Sequence, residues 1–185
     1  GVTVSAYLIH PAVTTFGLEY LTRGSAHVRV NSPLYDGEEF SVGIVDQNDT
    51  SYSAHLLRSD GTPLAEATVD IGIDIGDPPQ MRGDEQLDLQ LDVPVATPEN
   101  MLKLMMDGCK AYRVRWDKSH PMSRYLTDPA QMAELLQFGD KAGFANPSFV
   151  LGVSNWVLAG NAQMNPWVHM ETRSQNYAAI PPGSV

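Results

Sequence analysis

His10–Leu21, HPAVTTFGLEYL, is the stretch that decides the fold, because its pattern returns later in the chain. Pro11 predicts a helix start just after His10, since a proline in the first turn gives up no hydrogen bond. Val13, Phe16, Leu18, Tyr20 and Leu21 leave this helix few polar positions, and Gly24 reads as its stop. A helix so apolar is wrapped by other structure rather than laid on a surface. At an offset of 136 residues, Asn146-Pro147-Ser148 stands where His10-Pro11-Ala12 stood, and opens FVLGVSNWVLAGNA. Tyr20 then falls on Trp156, Leu21 on Val157 and Gly24 on Gly160. With eight residues inserted in the second copy, Arg29 and Arg173 fall in comparable strands. The order predicts an internal duplication.

Outward from the first helix, the signals turn to strands. His27–Val30 alternates, and Asp36-Gly37 turns the chain into EFSVGIVD, Glu39–Asp46. Gln47–Thr50 is a turn, Tyr52–Arg58 a strand, and Asp60-Gly61 a hairpin signal before Leu64–Ile73. The first half therefore reads as a helix followed by about four antiparallel strands in a meander. Asp74–Pro94, rich in Asp, Gly and Pro, reads as a linker or a long surface excursion. Thr97 caps a short helix that begins at Pro98 and runs through Met106. Tyr112–Trp116 alternates like a strand, Asp128-Pro129 opens a helix over Ala130–Phe138, and Pro166–Arg173 reads as a strand after the second apolar helix.

These residues carry a resemblance. Ile9–Leu21 followed by Val28-Arg29-Val30 and Asn31–Glu38, then Ala142–Phe149, Asn155-Trp156 and Pro166–His169, resembles a double hotdog protein of the MaoC-like dehydratase and acyl-CoA thioesterase superfamily. The resemblance implies an α+β fold: a tandem hotdog in which a curved antiparallel sheet wraps a central apolar helix in each half. The halves are expected at 1–95 and 96–185, with the second copy incomplete. It implies binding of an acyl thioester of coenzyme A or a carrier protein, with no cofactor, and MaoC-like enoyl hydratase or dehydratase chemistry. An acyl-CoA thioesterase, or a non-catalytic acyl-CoA-binding or assembly subunit with a degenerate site, is the alternative. Association into a homo-oligomer is left open.

Composition narrows the partners. With 12 Lys+Arg against 22 Asp+Glu the formal charge is -10, which disfavours polyanionic nucleic acid and anionic membrane surfaces. No window reaches the roughly 18 apolar residues of a membrane span. The first residues show no signal peptide, and the single Cys109 cannot form an internal disulfide, so a reducing, cytoplasmic location is expected. The charge is uneven: residues 36–99 hold 15 acids and two bases, the remainder 7 acids and 10 bases. Lys103, Lys110, Arg113, Arg115, Lys118 and Arg124 form a basic stretch that reads either as a solvated face or as a holder for a phosphorylated ligand. Arg113 and Arg115 are its substrate-binding candidates.

Hydration of an enoyl thioester needs a carboxylate and an imidazole flanking one water. The resemblance places these in a D-x-N-P-x-H motif ahead of the central helix. In the second half Pro129 matches the motif proline, which puts Leu126 at the Asp position and Gln131 at the His position, so both catalytic types are missing. His10 is the catalytic candidate, because a helix N-terminus favours a developing oxyanion such as a thioester enolate. Asn146 holds the equivalent place in the second half, as a cap or a carbonyl-binding residue. His169 beside Trp167 is a candidate pocket residue, or a structural histidine with one hydrogen bond. His120 is expected in an exposed loop. The Asp70, Asp74 and Asp77 series lacks calcium-loop spacing, and no metal site is expected.

Overall fold

A computed structural model describes residues 1–80, 92–120, 133–138, 142–164 and 166–185. The chain is α+β. Its elements are α1 (Val2–Phe16), α2 (Leu18–Arg23), β1 (Ser25–Val30), β2 (Phe40–Gln47), β3 (Ser51–Arg58), β4 (Pro63–Asp70), α3 (Pro98–Asp107), α4 (Pro147–Asn161) and β5 (Glu171–Gln175). The five strands make one antiparallel sheet in the order β2-β3-β4-β1-β5. This corrects the meander: β2, β3 and β4 do follow one another, but β1 pairs with β4 and lies between it and β5.

The first helix also departs from expectation. It begins at Val2, so Pro11 sits inside it and His10 lies in its third turn, not at its start. Proline inside a helix removes the N–H that would bond the carbonyl four residues earlier and crowds the preceding turn. The Tyr52 hydroxyl donates to the nearby Leu8 carbonyl at 2.8 Å, a tertiary hydrogen bond delivered to that turn. The helix breaks at Gly17, whose φ of 58° favours glycine, resumes as α2, and ends at Gly24 as read from sequence.

α1 packs across β1, β3 and β4. Its buried residues Ser5, Leu8, Ile9, Ala12 and Val13 follow helical spacing. The sheet offers alternate positions: Ala26 and Val28 from β1, Tyr52, Ala54 and Leu56 from β3, Ala67 and Val69 from β4. The alanines here and at Ala12 let helix and sheet approach closely. The other sheet face is polar, with Arg29 near Glu66 and His27 bonded to Glu171 at 2.7 Å.

The helix–strand order appears a second time. α4 leads to β5, β5 pairs antiparallel with β1 (His27 opposite Arg173), and α1 touches α4. Sequence placed the α4 start at Asn146 and the α3 cap at Thr97; both are observed, and the Thr97 hydroxyl accepts from the Asn100 N–H at 3.2 Å. Pro166–Arg173 was expected to be a strand, yet the strand starts only at Glu171. Tyr112–Trp116 has no regular secondary structure and belongs to none of the described ladders. Its alternation persists in burial, and Trp116 exchanges backbone hydrogen bonds with Gly183 and Ser184. Of the helix read over Ala130–Phe138, residues 130–132 lie outside the described set, and Glu134–Leu136 form a single 3₁₀ turn. The linker read over Asp74–Pro94 has no regular structure in its described parts. Among the described residues no helix is long and apolar enough to cross a membrane.

Candidate functional site: an apolar groove along α4

Two hydrophobic clusters organise the chain. The larger lies between α1 and the sheet. The smaller is built on Trp116, Ala145 and Phe149, with Val114, Phe138, Val153 and Ile180 around it. Trp116 is its centre, 1% exposed, with its indole N–H donating to the Gly143 carbonyl at 2.8 Å. Phe149 tilts against it at 4.5 Å between ring centroids. Such edge-on and tilted aromatic contacts add specific geometry to simple burial.

A groove of about 710 Å³ opens beside this cluster. The first half of α4 (Phe149, Val150, Val153), the Tyr112–Trp116 segment and residues 179–185 (Ala179, Ile180, Ser184, Val185) line it. The walls are apolar, and Arg113 stands at the rim with its side chain exposed. The volume lies within the range of small-molecule sites, which are mainly apolar with a few polar anchors.

Asn146 holds the start of the α4 wall. It is 2% exposed, and its Oδ1 accepts from the Phe149 N–H at 2.7 Å and from the Ser148 hydroxyl. That is an N-cap geometry, which satisfies helix donors that have no partner within the helix. Asn146→Ala is expected to cost about 1–2 kcal/mol in chemical denaturation. Asn146→Asp is expected to keep most of that stability. An alanine variant as stable as the parent would contradict the capping role.

The remaining sequence candidates lie elsewhere. Arg115 is exposed beside Asp117, two residues from Arg113. His10 does not line the groove; its Nδ1 is buried without a hydrogen-bond partner, and burial holds its pKa below the usual imidazole value. The helix-terminus argument for His10 therefore loses its premise, because the dipole's positive end is two turns away. His169 packs against Gly1, bonds the Thr172 hydroxyl through Nε2, and has its pKa lowered by burial. Trp167 stacks on it at 6.4 Å. The structure thus brings Arg113 to the α4 wall capped by Asn146, and leaves His10 and His169 outside the lining.

Sequence reasoning missed two features. His120 is half-buried rather than exposed, with its ring 5.0 Å from Phe149 and 5.9 Å from Trp156. The groove itself is assembled from segments far apart in the chain: the apolar run after Asn146 and the alternation of Tyr112–Trp116 each signalled a segment of its lining, and nothing local joined them. The motif position read over Tyr125–Met132 lies outside the described residues. Among the described residues no group of three His, Cys, Asp or Glu is placed to hold a metal ion.

No protein-family model matches the chain, and no curated protein matches it. Among solved structures it is similar to a tesB protein of Mycobacterium avium subspecies paratuberculosis, at 18% identity over 56% of this chain and 39% of that one, with a TM-score of 0.28. It is also similar to the full-length peroxisomal multifunctional enzyme type 2 of Drosophila melanogaster, at 12% identity over 97% of this chain and 34% of that one, with a TM-score of 0.39. The chain thus spans little more than a third of the length of these proteins, and similarity at this level assigns no residue a role.

Proposed function

We propose that the chain is a hotdog-type protein that holds an acyl thioester, of coenzyme A or a carrier protein, with the acyl group in the groove along α4. In this reading residues 1–95 form one helix-and-sheet unit, and residues 96–185 contribute the helix and first strand of a second. The repeated helix–strand order and the antiparallel β1–β5 pair support that division. The observation that carries the function is the groove: apolar walls of Val114, Phe149, Val153 and Ile180, with Arg113 at the rim. An acyl thioester presents the same division, a hydrocarbon end and an anionic, phosphate-bearing end. Arg113, with Arg115 beside it, would meet the phosphates, and the groove would take the hydrocarbon.

Enoyl hydration or thioester hydrolysis needs a proton-transfer group at the reacting carbon. No side chain among the described residues lining the groove is a carboxylate or an imidazole. That observation favours a second reading, a non-catalytic acyl-thioester-binding subunit; half-buried His120, its ring 5.0 Å from that of groove-lining Phe149, is the imidazole to test for catalysis.

Thermal unfolding with free coenzyme A, crotonyl-CoA and octanoyl-CoA tests the binding claim. Ligand at a hundredfold excess over its dissociation constant stabilises the folded state by about 2.7 kcal/mol. For a chain of this size that is a rise of about 5–10 °C. The expected result is a larger rise with acyl-CoA than with free coenzyme A. No rise at any acyl length would contradict the reading. Hydratase and thioesterase assays on the same sample then separate enzyme from binding protein.

A further inference from the structure

A second, smaller cleft of about 190 Å³ adjoins the groove, and Val150, Ala179 and Ile180 line both. We propose that Val150 and Ile180 form a partition that sets the acyl length accepted, and that the smaller cleft receives the distal end of a longer chain. This rests on the reading of the groove as an acyl-thioester site.

The smaller cleft is suited to hydrocarbon. Leu21, Ala145 and Pro147 supply apolar wall. Its amide side chains are already engaged elsewhere: Gln175 Nε2 donates to the Arg23 carbonyl at 2.8 Å, and Asn176 Nδ2 donates to the Tyr20 carbonyl at 2.8 Å.

The partition has a fixed frame. Val150 belongs to the first turn of α4, held by the Asn146 cap. The Ile180 carbonyl accepts from the Ala145 N–H at 2.9 Å. Ala179 packs with the cluster under α1 and Ile180 with the Trp116 cluster, so this short segment spans both cores.

The test uses S-butyl, S-octyl and S-dodecyl thioethers of coenzyme A, which can be neither hydrolysed nor hydrated, in calorimetric titrations. Val150→Phe is expected to weaken the dodecyl analogue about tenfold more than it weakens the butyl analogue, in line with the value of methylenes in apolar pockets. Ile180→Ala is expected to shift preference toward the dodecyl analogue. Val150 is 42% exposed, so a larger side chain there is compatible with folding, and Val150→Met serves if the Phe variant does not fold. If the parent binds the analogues and all variants keep its length profile, the partition is overturned while the groove reading stands. If the parent binds none of them, the groove reading itself fails and the partition falls with it.

Discussion

Gly24→Ala is expected to destabilise the chain by about 3 kcal/mol, the upper part of the usual cost of overpacking. In a chain of this length that lowers the melting temperature by about 6–12 °C. The cause is space and not backbone. Gly24 has φ -70° and ψ 147°, a conformation open to any residue. A Cβ there would collide with the Tyr20 ring edge and lie 2.7 Å from the Tyr20 carbonyl oxygen. Tyr20 cannot readily yield: it is 1% exposed, and its carbonyl also accepts from Asn176. Gly24 therefore lets α2 turn into β1 directly over a buried ring. Removing the ring isolates the effect. In a Tyr20→Leu background the same alanine is expected to cost less, because the ring contacts are gone while the contact with the carbonyl oxygen stays, a coupling that a double-mutant cycle reads. A Gly24→Ala variant melting with the parent would show that the ring moves aside freely.

Trp116→Ala is the second large effect, at about 3–5 kcal/mol, the usual cost of emptying a buried aromatic site. Trp116 is the pivot of the smaller core. Its ring packs on Phe138 and Phe149, its indole N–H bonds Gly143, and its backbone ties Gly183 and Ser184 to the groove wall. Trp116→Phe keeps most of the packing and leaves the Gly143 carbonyl without that donor, and is expected to cost about 1–3 kcal/mol. The alanine variant is also expected to lose the stabilisation given by octanoyl-CoA, because the wall that faces Phe149 loses its support. Retained octanoyl-CoA protection in Trp116→Ala would place the ligand elsewhere.

Much of the first half was legible before the structure. The turn chemistry at Asn48 and Asp60 marks strand ends: Asn48 Oδ1 accepts from the Thr50 and Ser51 N–H groups, and Asp60 Oδ1 accepts from the Thr62 N–H. Period-two burial in β3 matches the alternation of its residues. The α1 start was not legible. Pro11 reads as a helix opener by local rules, and its place inside the helix depends on tertiary packing, including a hydrogen bond from Tyr52, 44 residues distant in sequence. The position of β1 beside β4 was hidden for a similar reason, since antiparallel neighbours in sequence usually pair and here a loop carries the chain past two strands.

The site was legible only in part. Arg113 stood out through local charge, and Asn146 through the motif N-P-S before an apolar run. The groove that gives Arg113 its meaning joins residues 111–116, 149–153 and 179–185, and no local pattern connects them. His10 illustrates the converse. Its sequence argument was chemically sound for a helix terminus, but the terminus lies at Val2.

The proposed site puts an acyl chain between α4 and the Tyr112–Trp116 segment. Photolabelling by an octanoyl-CoA analogue with a diazirine at the end of its chain, followed by peptide mass mapping, tests this placement. Light-dependent adducts are expected on Phe149–Val153 and on Val114–Trp116, suppressed by excess octanoyl-CoA. Adducts confined to other segments, or labelling that excess octanoyl-CoA does not compete away, would contradict it.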